Sequence, residues 1–282
     1  IFAFGMFDGL HLGHKKIIET AKNLAKKCNG KAFLLTFDTH PKELFSPNKN
    51  PYILTTNEEK IKFLENMGIY GIVFLYFDNH IANMQAEDFV KKDLIEKLKP
   101  NTIVVGEDFR FGKERRGDAN LIKKFVQTEI VPTLKNSSDE KISSTEIREL
   151  LEIGEIEKAN QVLGHNYFIE SQVIHGLGLA TKFGVPTANL HIPNFKLLPS
   201  GVFAGITNID GEKYPSAISI GMRRTLDDKK LKLCCEVHII DFNENIYHKN
   251  IKVKFMQKIR DQKKFENLET LFDQVKKDVE FI

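Results

Sequence analysis

The sequence predicts an α/β chain of two domains: an N-terminal parallel sheet covered by helices, then a C-terminal antiparallel β-barrel with a terminal helix. Three observations predict it. As far as Leu163, short apolar runs alternate with amphipathic helical patterns. After Gly164, short alternating strands follow one another between Gly, Pro, Asn and Asp. A length of 282 residues exceeds one small domain and suits two. The domains are expected at residues 1–163 and 164–282.

The first run, IFAFGMF, reads as a buried strand. Downstream of His14, apolar residues fall at Ile17, Ile18, Ala21, Leu24, Ala25 and Cys28, one face of a helix stopped by Gly30. KAFLLTF is the next strand. Thr56-x-x-Glu59 is a capping box that opens a helix running to Gly68. IVFLYF follows as strand, residues 86–98 as helix and TIVVG as strand; a last helix–strand pair covers residues 120–131. Strands separated by helices pair in parallel and need both faces covered. Two short helices, residues 144–152 and 156–163, close this half. In the second half HNYFIESQVI, GVFAGITNI, YPSAISIG, LKLCCEVHIID and IKVKFMQKI show the alternation of antiparallel strands, which a closed barrel accommodates. The terminal helix, residues 268–279, sets Leu268, Leu271, Phe272, Val275 and Val279 on one face.

A hydrophobic fraction of 41% with 28% charged residues excludes a disordered, collagenous or disulfide-scaffold chain. No apolar run is long enough to cross a bilayer, and no signal-peptide pattern is present, although what precedes Ile1 is open. Cys234 and Cys235 are adjacent, so on a strand they face opposite ways, and with Cys28 they form no C-x-x-C; neither a disulfide nor zinc is expected. A cytoplasmic protein without membrane or nucleic-acid partners fits, the net charge being only +3. The oligomeric state is open. Arginine is scarce, yet Arg110, Arg115, Arg116 and Arg148 fall close together. Arg carries a planar fork that matches phosphate oxygens, so the clustering suggests an anion-handling region; surface salt bridges are the competing reading.

The strongest local signal is GMFDGLHLGH, from Gly5 to His14. A buried strand runs into a glycine-bearing turn and then a helix, whose N-terminus supplies N–H donors and a positive dipole end for phosphate. His11 and His14, three apart, can face one phosphate from the first helical turn; two histidines that merely cap the helix are the alternative. Two other motifs fail. Gly106, Gly112 and Lys113 approximate a Walker A loop, but five residues separate the glycines and Glu114 stands where Ser or Thr must be. Gly176 and Gly178 begin a G-x-G-x-x-G whose third position is Thr181.

Four ordered motifs resemble the bacterial bifunctional riboflavin kinase/FMN adenylyltransferase (FAD synthetase) family. They are GMFDGLHLGH, then TFDTHP with Phe37, His40 and Pro41, then GEDFRFG with Gly106, Asp108, Phe109, Phe111 and Gly112, and finally ISSTEIR from Ile142 to Arg148. The resemblance implies a Rossmann-like nucleotidyltransferase domain in which an FMN phosphate oxygen attacks the α-phosphorus of ATP and pyrophosphate leaves. It implies ATP-phosphate contacts from Gly5, Phe7, Gly9, His11 and His14, with Ser143, Ser144, Thr145 and Arg148 closing on the triphosphate. Arg148 is expected to stabilise the pyrophosphate, and Asp108 and Phe109 to meet the nucleotide or flavin. Asp108 and Ser144 also suit plain capping of a turn and a helix.

In the second half HGLGLATKFGVPTANL leads into Pro186-Thr187-Ala188-Asn189, then GVFAG, then EVHIID. Thr187 and Asn189 lie on one side if the segment is extended, and neutral oxygens with phosphates suit magnesium. Glu236 lies on the strand face opposite Leu233, Cys235 and Val237, beside Cys234 and His238. By the same resemblance this half is a riboflavin kinase barrel. Gly176, Gly178 and Gly184 would line its nucleotide loop, Thr187 and Asn189 would hold the Mg2+ of ATP, and Glu236 would act as general base for the riboflavin 5′-hydroxyl. The chain departs from the family where Ala180 and Thr181 replace Gly and Arg, and where Arg224 and Leu226 replace Pro and Phe. The expected function is therefore conversion of riboflavin to FMN and of FMN to FAD. Two alternatives stand beside it: adenylyl transfer alone with the barrel as a flavin-binding appendage, or a non-catalytic flavin sensor.

Overall fold

The computed structural model describes residues 1–45, 51–136, 139–176, 180, 184–224 and 231–282. Gly178, Thr181 and Leu226 lie outside the described residues. Two compact units make up the chain, Ile1–Ser144 and Thr145–Ile282.

The first unit runs β1 (Phe2–Phe4), α1 (Leu12–Lys27), β2 (Phe33–Phe37), α2 (Pro41–Phe45), α3 (Asn57–Glu65), β3 (Gly71–Leu75), α4 (Asn79–Asn83) and α5 (Ala86–Asp88). A π-helical stretch over Phe89–Lys97 continues α5, and β4 (Thr102–Gly106), a small hairpin of β5 (Arg110–Phe111) and β6 (Gly117–Asp118), α6 (Ala119–Lys123) and β7 (Gln127–Val131) follow. The main sheet has the order β3-β2-β1-β4-β7 and every pairing is parallel. Alternation along the strands sends side chains to two cores. Ala3, Leu34 and Val104 pack with Ile18, Ala21 and Leu64 of α1 and α3, whereas Phe4, Leu35, Ile103 and Val105 pack with Phe89, Val90, Leu94 and Ile122. Both faces are thus covered, as the near-continuous apolar strands required.

The local differences have physical reasons. α1 begins at Leu12, two residues before His14, because His11 supplies the cap; Cys28 ends the helix exposed instead of joining its buried face. The expected α-helix over residues 86–98 is mostly π-wound, and it buries Phe89, Val90, Asp93 and Leu94. The capping box of Thr56 and Glu59 is formed.

α7 (Ser144–Glu152) leads into the second unit, where α8 (Ile156–Leu163) precedes β8 (Phe168–Ile174), β9 (Ala188–Leu190), β10 (Gly201–Ile209), β11 (Glu212–Arg224), β12 (Leu231–Ile239), β13 (Asn250–Arg260) and α9 (Leu268–Glu280). The six strands close a barrel in the order β10-β11-β12-β9-β8-β13, all antiparallel. Phe203, Ile218, Ile220, Val237, Val253 and Phe255 fill it, fully buried. Side chains of this size contribute about 1.5–3 kcal/mol each when buried, so this inward row holds the barrel together. α8 is tied to β13 through Asn160, whose Nδ2 donates to Phe255 O, 2.9 Å. β9 is the strand that closes the ring between β12 and β8.

Candidate functional site

β1 lies where the sheet order reverses, the chain passing to β2 and β3 on one side and to β4 and β7 on the other. In open parallel sheets the crevice at the carboxyl ends beside such a switch point is where ligands bind. The turn from Gly5 to His11 occupies that position. It is strained: buried Phe7 and Leu10 sit at φ +50° and +49°, with Gly9 at +85°, and a left-handed conformation costs a non-glycine residue about 1–2 kcal/mol. Hydrogen bonds from distant segments impose the shape. Met6 O accepts from Thr36 Oγ1 and from Lys60 Nζ, each at 3.1 Å. The Asp8 carboxylate, 4% exposed, accepts from Leu54 N at 2.9 Å and Thr55 N at 3.0 Å. Gly9 N donates to Thr55 Oγ1, 3.0 Å, and Ser144 Oγ donates to Asp8 O, 2.7 Å.

His11, 7% exposed, is the N-cap of α1: its Nδ1 accepts from His14 N at 3.3 Å. That bond assigns the neutral ring's N–H to Nε2. The two imidazoles stack with centroids 3.6 Å apart and an 18° interplanar angle, and Phe7 meets the His14 ring edge-on at 5.3 Å. Capping and pairing therefore coexist, and the N-terminal end of α1, with its positive dipole end, lies beside both rings. Beneath the turn, burial lowers the Lys60 pKa to about 8 against the opposing influence of Asp8 and Glu43, and burial raises the Glu43 carboxyl.

Gly5 N donates to Leu35 O and joins the turn to β2. Ser143 and Ser144 stand just ahead of or at the start of α7; Thr145 is exposed, and Arg148, 7% exposed, shares the helix face of Ser144 one turn on. Of the other clustered arginines, Arg110, Arg115 and Arg116 are exposed and Arg116 pairs with Glu114, the surface reading of that cluster. Asp108, just after β4, pairs with Lys141. The Phe109 ring meets Phe4 edge-on at 4.6 Å and stacks on Phe111 at 5.6 Å, so it is anchored in the sheet's aromatic core. Asp8, Thr55 and Lys60 were not among the residues the sequence singled out. Asp8 lies inside the first motif, and the capping box one residue beyond Thr55 was the available signal.

In the barrel, Glu236 of β12 pairs in register with Ser219 of β11 on one side and Asn189 of β9 on the other. A cavity of about 140 Å³ brings Glu236 together with Thr187, Asn189, Ser219 and Gln262, roofed by Phe265 and by Leu271 and Phe272 of α9. Glu236 also lines an adjoining cavity with Met222 and Cys234. Thr187 faces a further cavity of about 450 Å³ bounded by Pro186, Phe242 and Tyr247. Gln262 Nε2 links Gly201 O, Ser219 Oγ and Ile220 O at 3.0–3.1 Å, and His238 Nδ1 contacts Pro186 O at 2.7 Å, holding the segment before Thr187. α9 is fastened by buried Asp278, which accepts from Arg260 Nε at 2.9 Å and Nη2 at 2.7 Å. Of the loop glycines, Gly176 packs on the Asn189 amide, where an added Cβ would lie 2.2 Å from Nδ2, and Gly184 adopts φ +77° in open space.

Whether these residues fit a magnesium ion is a question of donors. Among the described residues no three His, Cys, Asp or Glu side chains converge as a metal cage. Thr187 and Asn189 instead offer two neutral oxygens on one wall of the cavity, and Gly176 leaves room for the Asn189 amide. That set fits a hard cation completed by nucleotide phosphates and water.

Comparisons with known proteins agree with this division. A family model described as FAD synthetase matches residues 1–146, and one described as riboflavin kinase matches residues 163–282. The chain is 35% identical to the bifunctional riboflavin kinase/FMN adenylyltransferase of Buchnera aphidicola subsp. Schizaphis graminum, over 99% of this chain and 92% of that protein. It is 33% identical to the protein of the same name from Bacillus subtilis (strain 168), over 99% of this chain and 90% of that one. A crystal structure described as a macrolide-efflux protein from Streptococcus pneumoniae superposes with a TM-score of 0.86 at 29% identity, over 99% of this chain and 92% of that one. Among the described residues, no helix here is long and apolar enough to cross a membrane.

Proposed function

We propose that this chain, which belongs to the family of bifunctional riboflavin kinase/FMN adenylyltransferases, performs its two reactions at two separate sites, the β1–α1 turn and the barrel cavity around Glu236. The enzyme phosphorylates riboflavin to FMN and adenylylates FMN to FAD, using ATP in both steps. We place the functional boundary at residues 163–164, supported by the start of the riboflavin kinase match at residue 163.

At the turn, an oxygen of the FMN phosphate attacks the α-phosphorus of ATP and pyrophosphate departs. A phosphate is already ionised near neutral pH, so this step needs no protein base; it needs alignment and relief of negative charge. His11 donates from Nε2, His14 stacks beside it, and the dipole of α1 points at the same place. Arg148 is assigned to the leaving pyrophosphate. A preorganised donor of this kind is worth about 10²–10³ in rate.

The barrel step differs because an alcohol is a poor nucleophile until its proton has an acceptor. Glu236 takes the proton of the riboflavin 5′-hydroxyl as the O5′–Pγ bond forms and the bond to the ADP oxygen breaks. Thr187 and Asn189 would hold Mg2+, which neutralises phosphate charge when bound. Asp108 and Phe109 are assigned to the FMN or nucleotide at the turn, Gly176 and Gly184 to the loop around ATP at the barrel.

The observation that carries this reading is the placement of Glu236 between Asn189 and Ser219, at the wall shared by two cavities. It lets a nucleotide on the Thr187 side and a flavin on the Met222 side meet at one carboxylate. Purified enzyme given riboflavin and MgATP is expected to yield FMN and then FAD on chromatography. Failure to form FMN from riboflavin would contradict the assignment of the barrel.

A further inference from the structure

His238 stands two residues beyond Glu236 on the same outward face of β12 and lines the same cavity, together with Thr187 and Asn189. Among the described residues, the pairing of β12 with β9 joins Cys235 to Leu190, Glu236 to Asn189 and Val237 to Ala188, and stops there. β8 pairs with β9 at Leu190 and Asn189. One more step of the β12 register would set His238 opposite Thr187, so the ladder ends one residue short of the candidate magnesium ligand. Ahead of Thr187 come Pro186, which has no N–H to donate, and buried Val185, whose N donates to Ala180 O at 3.2 Å. In the gap between Val185 and Ala188 a side chain supplies the tie: His238 Nδ1 lies 2.7 Å from Pro186 O. A carbonyl oxygen only accepts, so Nδ1 is the donor, and it carries that hydrogen in this neutral tautomer and in the protonated ring alike.

We propose that His238 is a positioning residue for riboflavin phosphorylation: its Nδ1–H stands in for the missing ladder bond and fixes the Pro186 carbonyl, and with it the Thr187 oxygen that would take Mg2+. The proposal rests on the reading of the barrel cavity as the kinase site. β12 carries both His238 and Glu236, so one strand sets the base directly and the cation ligand through the tether. Transfer to the 5′-oxygen needs both in register, and a misplacement of about 1 Å costs on the order of 10²-fold in rate. The tether grips the backbone ahead of Thr187 and leaves the Thr187 hydroxyl to the cation, as an outer partner of a metal ligand does.

The test compares His238→Asn with His238→Gln in the full chain. An Asn amide nitrogen overlays ring Nδ1 and keeps the donor to Pro186 O, whereas a Gln amide nitrogen overlays Nε2 and gives it up. In His238→Gln the Mg2+ concentration for half-maximal FMN formation is expected to rise about 10–100-fold, the scale of a lost outer partner of a metal ligand. The riboflavin KM is expected to stay unchanged. His238→Asn is expected to keep the wild-type Mg2+ requirement, and both variants to convert FMN to FAD as the wild type does. Hydrogen exchange at the Thr187 and Ala188 amides, read without metal or nucleotide, is expected to quicken in His238→Gln and to match the wild type in His238→Asn. An unchanged Mg2+ requirement in His238→Gln overturns the proposal, as does a His238→Asn that behaves like His238→Gln. Should His238→Gln not fold, His238→Asn alone decides, and a raised Mg2+ requirement there overturns the proposal. Failure of the wild type to form FMN from riboflavin overturns the reading of the barrel, and the proposal with it.

Discussion

His11 is committed at one ring nitrogen: Nδ1 accepts from His14 N to begin α1, which puts the hydrogen of the neutral ring on Nε2, the atom the proposed mechanism uses. Cys234 and Cys235 show how one residue of register separates fates on a strand. Cys235 is buried in the barrel and its thiol pKa is pushed well up by burial, whereas Cys234 lines the cavity with Met222 and Glu236. Iodoacetamide is therefore expected to modify Cys28 and Cys234 and to spare Cys235, and saturating riboflavin to slow Cys234 alone; peptide mass spectrometry checks it, and labelling of Cys234 indifferent to riboflavin would contradict the placement of the flavin. The outward orientation of Cys234, Glu236 and His238 was legible, because a period of two needs only neighbouring letters. The roles of Asp8 and Lys60 were not. They depend on Leu54, Thr55 and Met6, partners 46, 47 and 54 positions away, which only the folded sheet brings near.

At the level of elements, legibility followed length and local chemistry. The helices at 144–152 and 156–163 and the capping box at Thr56 were read correctly because the apolar spacing of the helices and the Thr56–Glu59 pair are local. β9 was read only as an extended segment. Three residues, Ala-Asn-Leu, carry no strand pattern, and their pairing with β12 and β8 is supplied by the closing barrel. In the proposed reading that short strand sets the kinase site, because it carries Asn189 against Glu236. Gly176 controls where the Asn189 side chain can lie, an added Cβ falling 2.2 Å from its Nδ2. Gly176→Ala is expected to displace the amide and lower riboflavin phosphorylation by about 10²-fold, the scale of a 1 Å misplacement, while FMN adenylylation is retained. Parallel rate measurements with riboflavin and with FMN check this; an unimpaired kinase would show that Asn189 does not need its present position.

Over the whole molecule, a parallel sheet and an antiparallel barrel supply what two phosphoryl chemistries ask for. On the proposed assignment the sheet's switch point offers a turn and a helix end for a charged nucleophile that needs no base, and the barrel wall offers a carboxylate for an alcohol that does. Both architectures were legible from the change of rhythm at Gly164. The strain at Phe7 and Leu10 was not, since ordinary residues occupy those positions and only the packed turn forces them left-handed. The central claim, that the two sites are chemically independent, is tested most directly by assaying Glu236→Gln in the full chain with each substrate in turn, beside His14→Ala. Loss of riboflavin phosphorylation by about 10²–10⁴-fold in Glu236→Gln, with FMN adenylylation unchanged, and the reverse pattern in His14→Ala, is the result expected. Either substitution silencing both reactions in a protein that melts like the wild type would contradict it.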